Sequence, residues 1–128
     1  MKNQIASVRD AVKEAGLIAS AGANGAVKVE VVPEVFLVFQ PDAEGLIVGF
    51  EGMPSHTHGA IDFTDPAGRF LELQPSEIPK ALLAGAVLIC ERWVQGLVTD
   101  RWLVHRDFND EFKYMDHNEE LRIYRAKG

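Results

Sequence analysis

Two histidines one residue apart, in the run His56-Thr57-His58, are the first pair in the chain whose types and spacing suit chemistry. On an extended strand, residues i and i+2 point to the same face, so both imidazoles are expected on one side. Asp62 keeps the same parity if the strand continues, and Glu51 is a further oxygen donor. Two imidazoles and a carboxylate with open positions suit a catalytic zinc or a non-haem iron. Apart from that set of His56, His58 and Asp62, no cofactor is expected. The ordinary alternative makes the pair loop residues, since Pro54 and Ser55 precede it and Gly59 follows. A motif as short as His-x-His also arises by chance.

The order His56, His58, Asp62 and then Gly68 is similar to the first motif of the cupins, which are metal-binding β-barrels. Aspartate stands here where that motif usually has glutamate, and its second motif, Pro-x-Gly with a downstream histidine, is absent. The match is confined to residues 56–68 of 128, and the chain is not assigned to that family. A second constellation is Arg101, His105 and Asp107, which share one face of a long extended segment. A histidine and an aspartate at i and i+2 can act as a base and its orienting partner. Cross-strand ion pairs with Glu91, Lys113 or Arg122 are the structural alternative, and the favoured one. His117 falls in a turn. Phosphate-binding glycine loops, Gly-x-Ser-x-Gly and His-Glu-x-x-His do not occur.

Cys90 is the sole cysteine, so no internal disulfide can form. It follows Ala86-Val87-Leu88-Ile89, where a buried, unreactive thiol is expected. Nothing marks the chain for an oxidising compartment, and charges at Arg9, Asp10, Lys13 and Glu14 interrupt any secretory core. No run approaches the length of a membrane span. The expectation is a soluble, cytoplasmic protein.

A formal net charge of −6 with a pI near 5.1 argues against phosphate-backbone binding, so no nucleic-acid partner is expected. The acidity is uneven: residues 1–85 carry 6 Lys/Arg against 11 Asp/Glu, and residues 86–128 carry 7 against 8. Acidic pairs Asp42/Glu44, Asp110/Glu111 and Glu119/Glu120 fall in predicted turns, where a basic partner can reach them.

The elements that must hold these residues follow from periodicity. Ile5, Val8, Val12 and Ala15 recur at helical spacing, the helix is expected to stop around Gly16 to Gly22, and Ala19–Gly25 has the small, turn-prone residues of a loop. Val27–Val31 alternates apolar and charged residues, as in a half-buried strand. Val35–Phe39 is β-branched and aromatic, so it is expected to be central, and Leu46–Phe50 returns beside it after a turn over 40–45. Strands are expected over 58–63 and 69–73, with a turn at Asp65-Pro66-Ala67-Gly68 between them. A short helix near 76–84 is capped by Ser76 and ended by Gly85. The last third reads as a meander: 86–94, a turn at Gln95-Gly96, a long strand over 97–108, and a hairpin of 112–115 with 121–125.

With 47% apolar and 25% charged residues, a chain of 128 residues has the composition and length of one globular domain. The expectation is a single α+β domain over residues 1–128. It has a mainly antiparallel curved sheet of seven or eight strands, either open or partly closed into a barrel, an N-terminal helix and a short second helix. For function, the first expectation is a non-enzymatic intracellular binding protein, one version being an acidic, immunity- or antitoxin-like inhibitor of a basic protein. A small metal-dependent enzyme or metal-binding domain using His56 and His58, and a pocket-type binder of an apolar small molecule, are the alternatives. Monomer and homodimer are both compatible with the sequence, and a membrane partner is not expected.

Overall fold

The computed structural model describes residues 4–43, 45–108 and 117–126. Helix α1 (Gln4–Ala15) follows the predicted spacing and buries Val8 and Val12 almost completely. The chain then forms a strand, β1 (Ile18–Ala21), where the sequence predicts a loop. All four β1 residues are exposed, so no alternation marks them. The strand exists through backbone pairing, from Ile18 opposite Glu30 to Ala21 opposite Val27.

Strands β2 (Val27–Val32), β3 (Val35–Asp42) and β4 (Gly45–Phe50) continue the antiparallel sheet. Val27, Val29 and Val31 are buried, while Lys28 and Glu30 alternate with them. β3 is the middle strand of five, in the order β1-β2-β3-β4-β5, which places Val35–Phe39 at the centre as predicted. Leu37 and Phe39 are essentially solvent-free; full burial of each contributes about 1.5–3 kcal/mol. The predicted six-residue turn is shorter, because pairing runs on to Asp42 opposite Gly45, with Pro41 opposite Leu46.

The strand predicted over 58–63 is two strands in different sheets. β5 (His56–His58) is the edge of the five-stranded sheet, paired to β4. The backbone then turns at Gly59, whose φ of 77° is one that side chains with a Cβ rarely adopt. β6 (Ile61–Thr64) departs to pair with β7 (Phe70–Leu73) in a separate two-stranded ribbon. Asp65 holds the turn between them, its buried carboxylate accepting the Arg69 amide at 2.8 Å.

Helix α2 (Ile78–Ala84) follows a 3-10 turn over Pro75–Glu77 and ends at Gly85. Ser76, predicted as the cap, lies inside that turn; the Gln74 amide instead donates to the Glu77 carboxylate at 2.7 Å. Helix α1 packs on α2 and on β2, β3 and β4.

A three-stranded sheet completes the fold: β8 (Val87–Val94), β9 (Leu97–His105) and β10 (Glu119–Tyr124), in the order β10-β8-β9. The predicted Gln95-Gly96 turn joins β8 to β9, which ends at His105 rather than Phe108. The meander is corrected: β10 pairs with β8, Ile123 opposite Cys90, on the side away from β9. This makes β8 central, with Val87, Ile89, Cys90 and Glu91 buried. The predicted strand over 112–115 lies outside the described residues.

Buried side chains of α1, α2 and all three sheets form one apolar cluster, running from Val8 through Phe39, Phe63 and Leu82 to Ile89. The fold is α+β, with ten antiparallel strands among the described residues and no closed barrel. No helix among them is long and apolar enough to cross a membrane.

Candidate functional site

The two larger sheets and the β6–β7 ribbon leave a cleft of about 440 Å3 between them. Leu37, Val48, Phe50 and Thr57 of the five-stranded sheet line it, together with Asp100 to Val104 of β9 and Ile61 to Thr64 of β6. The lining mixes apolar side chains with polar and charged ones, among them Asp62, Thr64 and Arg92, and such concave sites are where small molecules bind.

Asp100 fastens the cleft. It is 6% exposed, and its carboxylate accepts the Ser55 amide at 3.0 Å, the Ser55 hydroxyl, and the Arg101 amide at 2.9 Å. These bonds tie β9 to the segment entering β5, two edge strands of different sheets. Gly49 lets that segment approach. A Cβ built on Gly49 would lie 3.0 Å from both the Ser55 carbonyl oxygen and His56 Cβ.

Behind β9 sits a second buried carboxylate. Glu91 is 6% exposed and accepts three bonds: from Arg101 Nε at 2.6 Å, from the Tyr124 hydroxyl at 2.6 Å and from Trp93 Nε1 at 2.9 Å. Burial alone would raise its pKa. The bonds from Arg101, Tyr124 and Trp93 outweigh that and hold it below the ordinary 4.5. Burial and the neighbouring Glu91 charge push the Tyr124 phenol up, so it stays protonated and donates. Arg101 thus makes the predicted cross-strand pair with Glu91.

Two buried polar atoms of cleft-lining residues make no hydrogen bond among the described residues: the Thr57 hydroxyl and Arg92 Nε, which stands 3.6 Å from the Glu119 carboxylate. A buried hydroxyl left unpaired costs about 1–3 kcal/mol. Thr57 lies opposite Val48 and faces the other way from His56 and His58, into the apolar side.

The predicted metal residues divide. His56 and His58 are together, their ring centroids 5.0 Å apart and their planes at 73°. Both are exposed. Asp62 lies on β6, off the strand parity that would bring it beside them, because the chain changes sheets at Gly59. Among the described residues no group of three or more His, Cys, Asp or Glu is arranged to hold a metal ion.

His105 does not join them. It is 8% exposed and packs between the rings of Phe63 and Phe108, with centroids at 5.6 and 4.9 Å. Its Nδ1 accepts the Asp107 backbone amide at 3.0 Å, while the Asp107 carboxylate lies 3.8 Å from Arg106. The base-and-orienter reading of His105 and Asp107 therefore gives way to a packed, neutral imidazole. Desolvation lowers the His105 pKa below its ordinary 6.5. The folded state then binds fewer protons than the unfolded one in this range, so stability is fully present above about pH 6.5 and falls as the pH drops through the lowered value. His105→Gln is expected to flatten that part of the curve when urea midpoints are compared between pH 7.5 and pH 5. An unchanged slope would assign the effect to other groups.

The carboxylates read as partner-facing also divide. Asp42 is exposed at the end of β3, in the strand and not the turn. Glu119 and Glu120 lie in β10, also not in a turn, where Glu120 pairs with Arg122 at 2.8 Å and Glu119 stands 3.6 Å from Arg92. Glu44, Asp110 and Glu111 lie outside the described residues.

Asp100 and Thr57 are not among the residues expected from the sequence, yet each carries a signal there. Asp100 shares strand parity with Val98, Trp102 and Val104, a carboxylate set in an apolar row. Thr57, between two histidines, must face the opposite way from both. No family model matches the chain, and no curated protein or solved structure matches it.

Proposed function

We propose that this chain is a binding protein whose cleft takes a small molecule with an apolar body and one hydrogen-bonding group. The observation that carries this reading is the unpartnered Thr57 hydroxyl, set beside the apolar Val48 and Phe50 in the cleft wall. A ligand atom bonded there removes the cost of leaving it unpaired, while Leu37, Val48, Phe50 and Trp102 cover the apolar body. The Asp100–Ser55 bonds support it further, because they hold the two walls in place without occupying Thr57. The acidic-inhibitor reading has less support, since arginines of the same chain already meet Glu119 and Glu120.

The test uses phenol and toluene, which share an aromatic ring and differ by a hydroxyl. Amide chemical shifts are followed in an NMR titration of the wild-type protein and of Thr57→Val. Phenol is expected to bind the wild type roughly 2- to 12-fold more tightly than toluene, the worth of one net hydrogen bond. In Thr57→Val that preference disappears, while the unliganded variant is no less stable, and up to about 1 kcal/mol more so. Equal binding of the two probes by the wild type, or a preference that survives in Thr57→Val, overturns the reading.

A further inference from the structure

His56 and His58 point to a second kind of site, at the rim of the cleft and resting on the imidazoles instead of the Thr57 hydroxyl: the geometry points to a two-histidine site for a late first-row divalent cation, copper(II) above zinc. An imidazole nitrogen binds zinc at about 2.0–2.1 Å, so each ring centroid lies about 3.2 Å from the ion, and two rings sharing it tetrahedrally stand about 5.2 Å apart. The observed separation of 5.0 Å, in an edge-to-face pair, is within side-chain rotations of that arrangement.

The tautomer fits as well. His56 Nδ1 lies 3.1 Å from the Pro54 carbonyl oxygen. A carbonyl only accepts, so Nδ1 carries the proton and donates it, which leaves the Nε2 lone pair free for a metal. A ligating histidine ordinarily has its other ring nitrogen bonded to a carbonyl or carboxylate in this way. The backbone is fixed beneath both rings, with His56 paired to Gly49 and His58 to Ile47. The absence of a side chain at Gly49 is what admits His56 at that distance. Ligand formation therefore requires little rearrangement of the strand.

The chemical class of the ion follows from the donors. Two neutral nitrogens favour copper(II) and zinc over magnesium and calcium, which take oxygen ligands. Copper(II) leads zinc in the stability order for nitrogen sites. With no third His, Cys, Asp or Glu gathered among the described residues, the remaining positions are left to water. That open sphere separates this site from the zinc or iron triad with Asp62 expected from the sequence.

The test is calorimetric titration of untagged protein, freed of metals by chelator and dialysed into non-coordinating buffer, with copper(II) chloride and zinc chloride. One equivalent of copper is expected, bound at least tenfold more tightly than zinc, with no heat from magnesium. His56→Ala and His58→Ala should each weaken copper binding by roughly tenfold or more, as loss of a ligand does, and His117→Ala should leave it unchanged. Because both residues are exposed on a strand held by its backbone, the variants should fold, and circular dichroism checks this. Copper electron paramagnetic resonance adds a readout free of affinity: two imidazole nitrogens in the wild type and one in each single variant. Binding that survives both single variants, or that is lost in His117→Ala, overturns the assignment.

Discussion

Replacing Glu91 with alanine lowers the unfolding free energy by about 3–5 kcal/mol, the usual cost of removing one partner from a buried charged network. Three donors converge on this carboxylate, and each loses its acceptor: the Arg101 guanidinium, the Tyr124 hydroxyl and the Trp93 indole. Arg101 is the costliest to strand, because its side chain is only 16% exposed. Glu91→Gln keeps the volume and one acceptor oxygen, so it should lose less. Equilibrium urea unfolding at pH 7 measures both. The carboxyl is held below its ordinary pKa, so its contribution is present above about pH 4.5 and is lost as the pH falls through the lowered value. In Glu91→Gln the acid limb of the stability curve should therefore be shallower. A loss below about 1 kcal/mol in Glu91→Ala would mean that water satisfies the three donors as well as the carboxylate does.

Asp100→Ala is expected to cost about 2–3 kcal/mol and also to abolish phenol binding in the cleft. The two effects have one cause. Asp100 is the acceptor that fastens Ser55, at the entry to β5, against β9. Without it the Ser55 amide and hydroxyl lose their partner, and Thr57, two residues on, is no longer held at the cleft wall. Asp100→Asn retains one acceptor oxygen and should recover part of both losses. If Asp100→Ala were destabilised but bound phenol as the wild type does, the clamp would be a stability device with no bearing on the cleft.

These residues also mark where the sequence was legible. Alternation over Val27–Val31 and the apolar run at Val35–Phe39 are periodic because one face, or both, of the strand is buried, and the structure has both strands as read. The pair of Glu91 with Arg101 was legible only as one of several cross-strand options: the two-residue turn at Gln95-Gly96 alone would set Glu91 opposite Asp100, and a register shift between Arg92 and Trp93 moves it to Arg101. β1 was not readable, since Ile18–Ala21 is exposed throughout and burial imposed no pattern. The split at Gly59 was hidden because one glycine in an extended run looks like a minor interruption, yet it moves Asp62 into another sheet.

The site was less legible for a related reason. Its parts come from β3, β4, β5, β6, β8 and β9, and their convergence depends on how three sheets meet. The position of β10 beside β8, which brings Tyr124 to Glu91, reverses the order that short turns suggest. His56 and His58, by contrast, needed only the period of a strand, and they are where that period puts them.

The most direct test of the cleft reading is a crystal structure of the protein grown with phenol. Phenol is expected between β5, β6 and β9, its ring against Val48, Phe50 and Trp102, and its oxygen within hydrogen-bond distance of Thr57 Oγ1. Phenol bound only elsewhere, or a cleft filled by its own side chains, would contradict it.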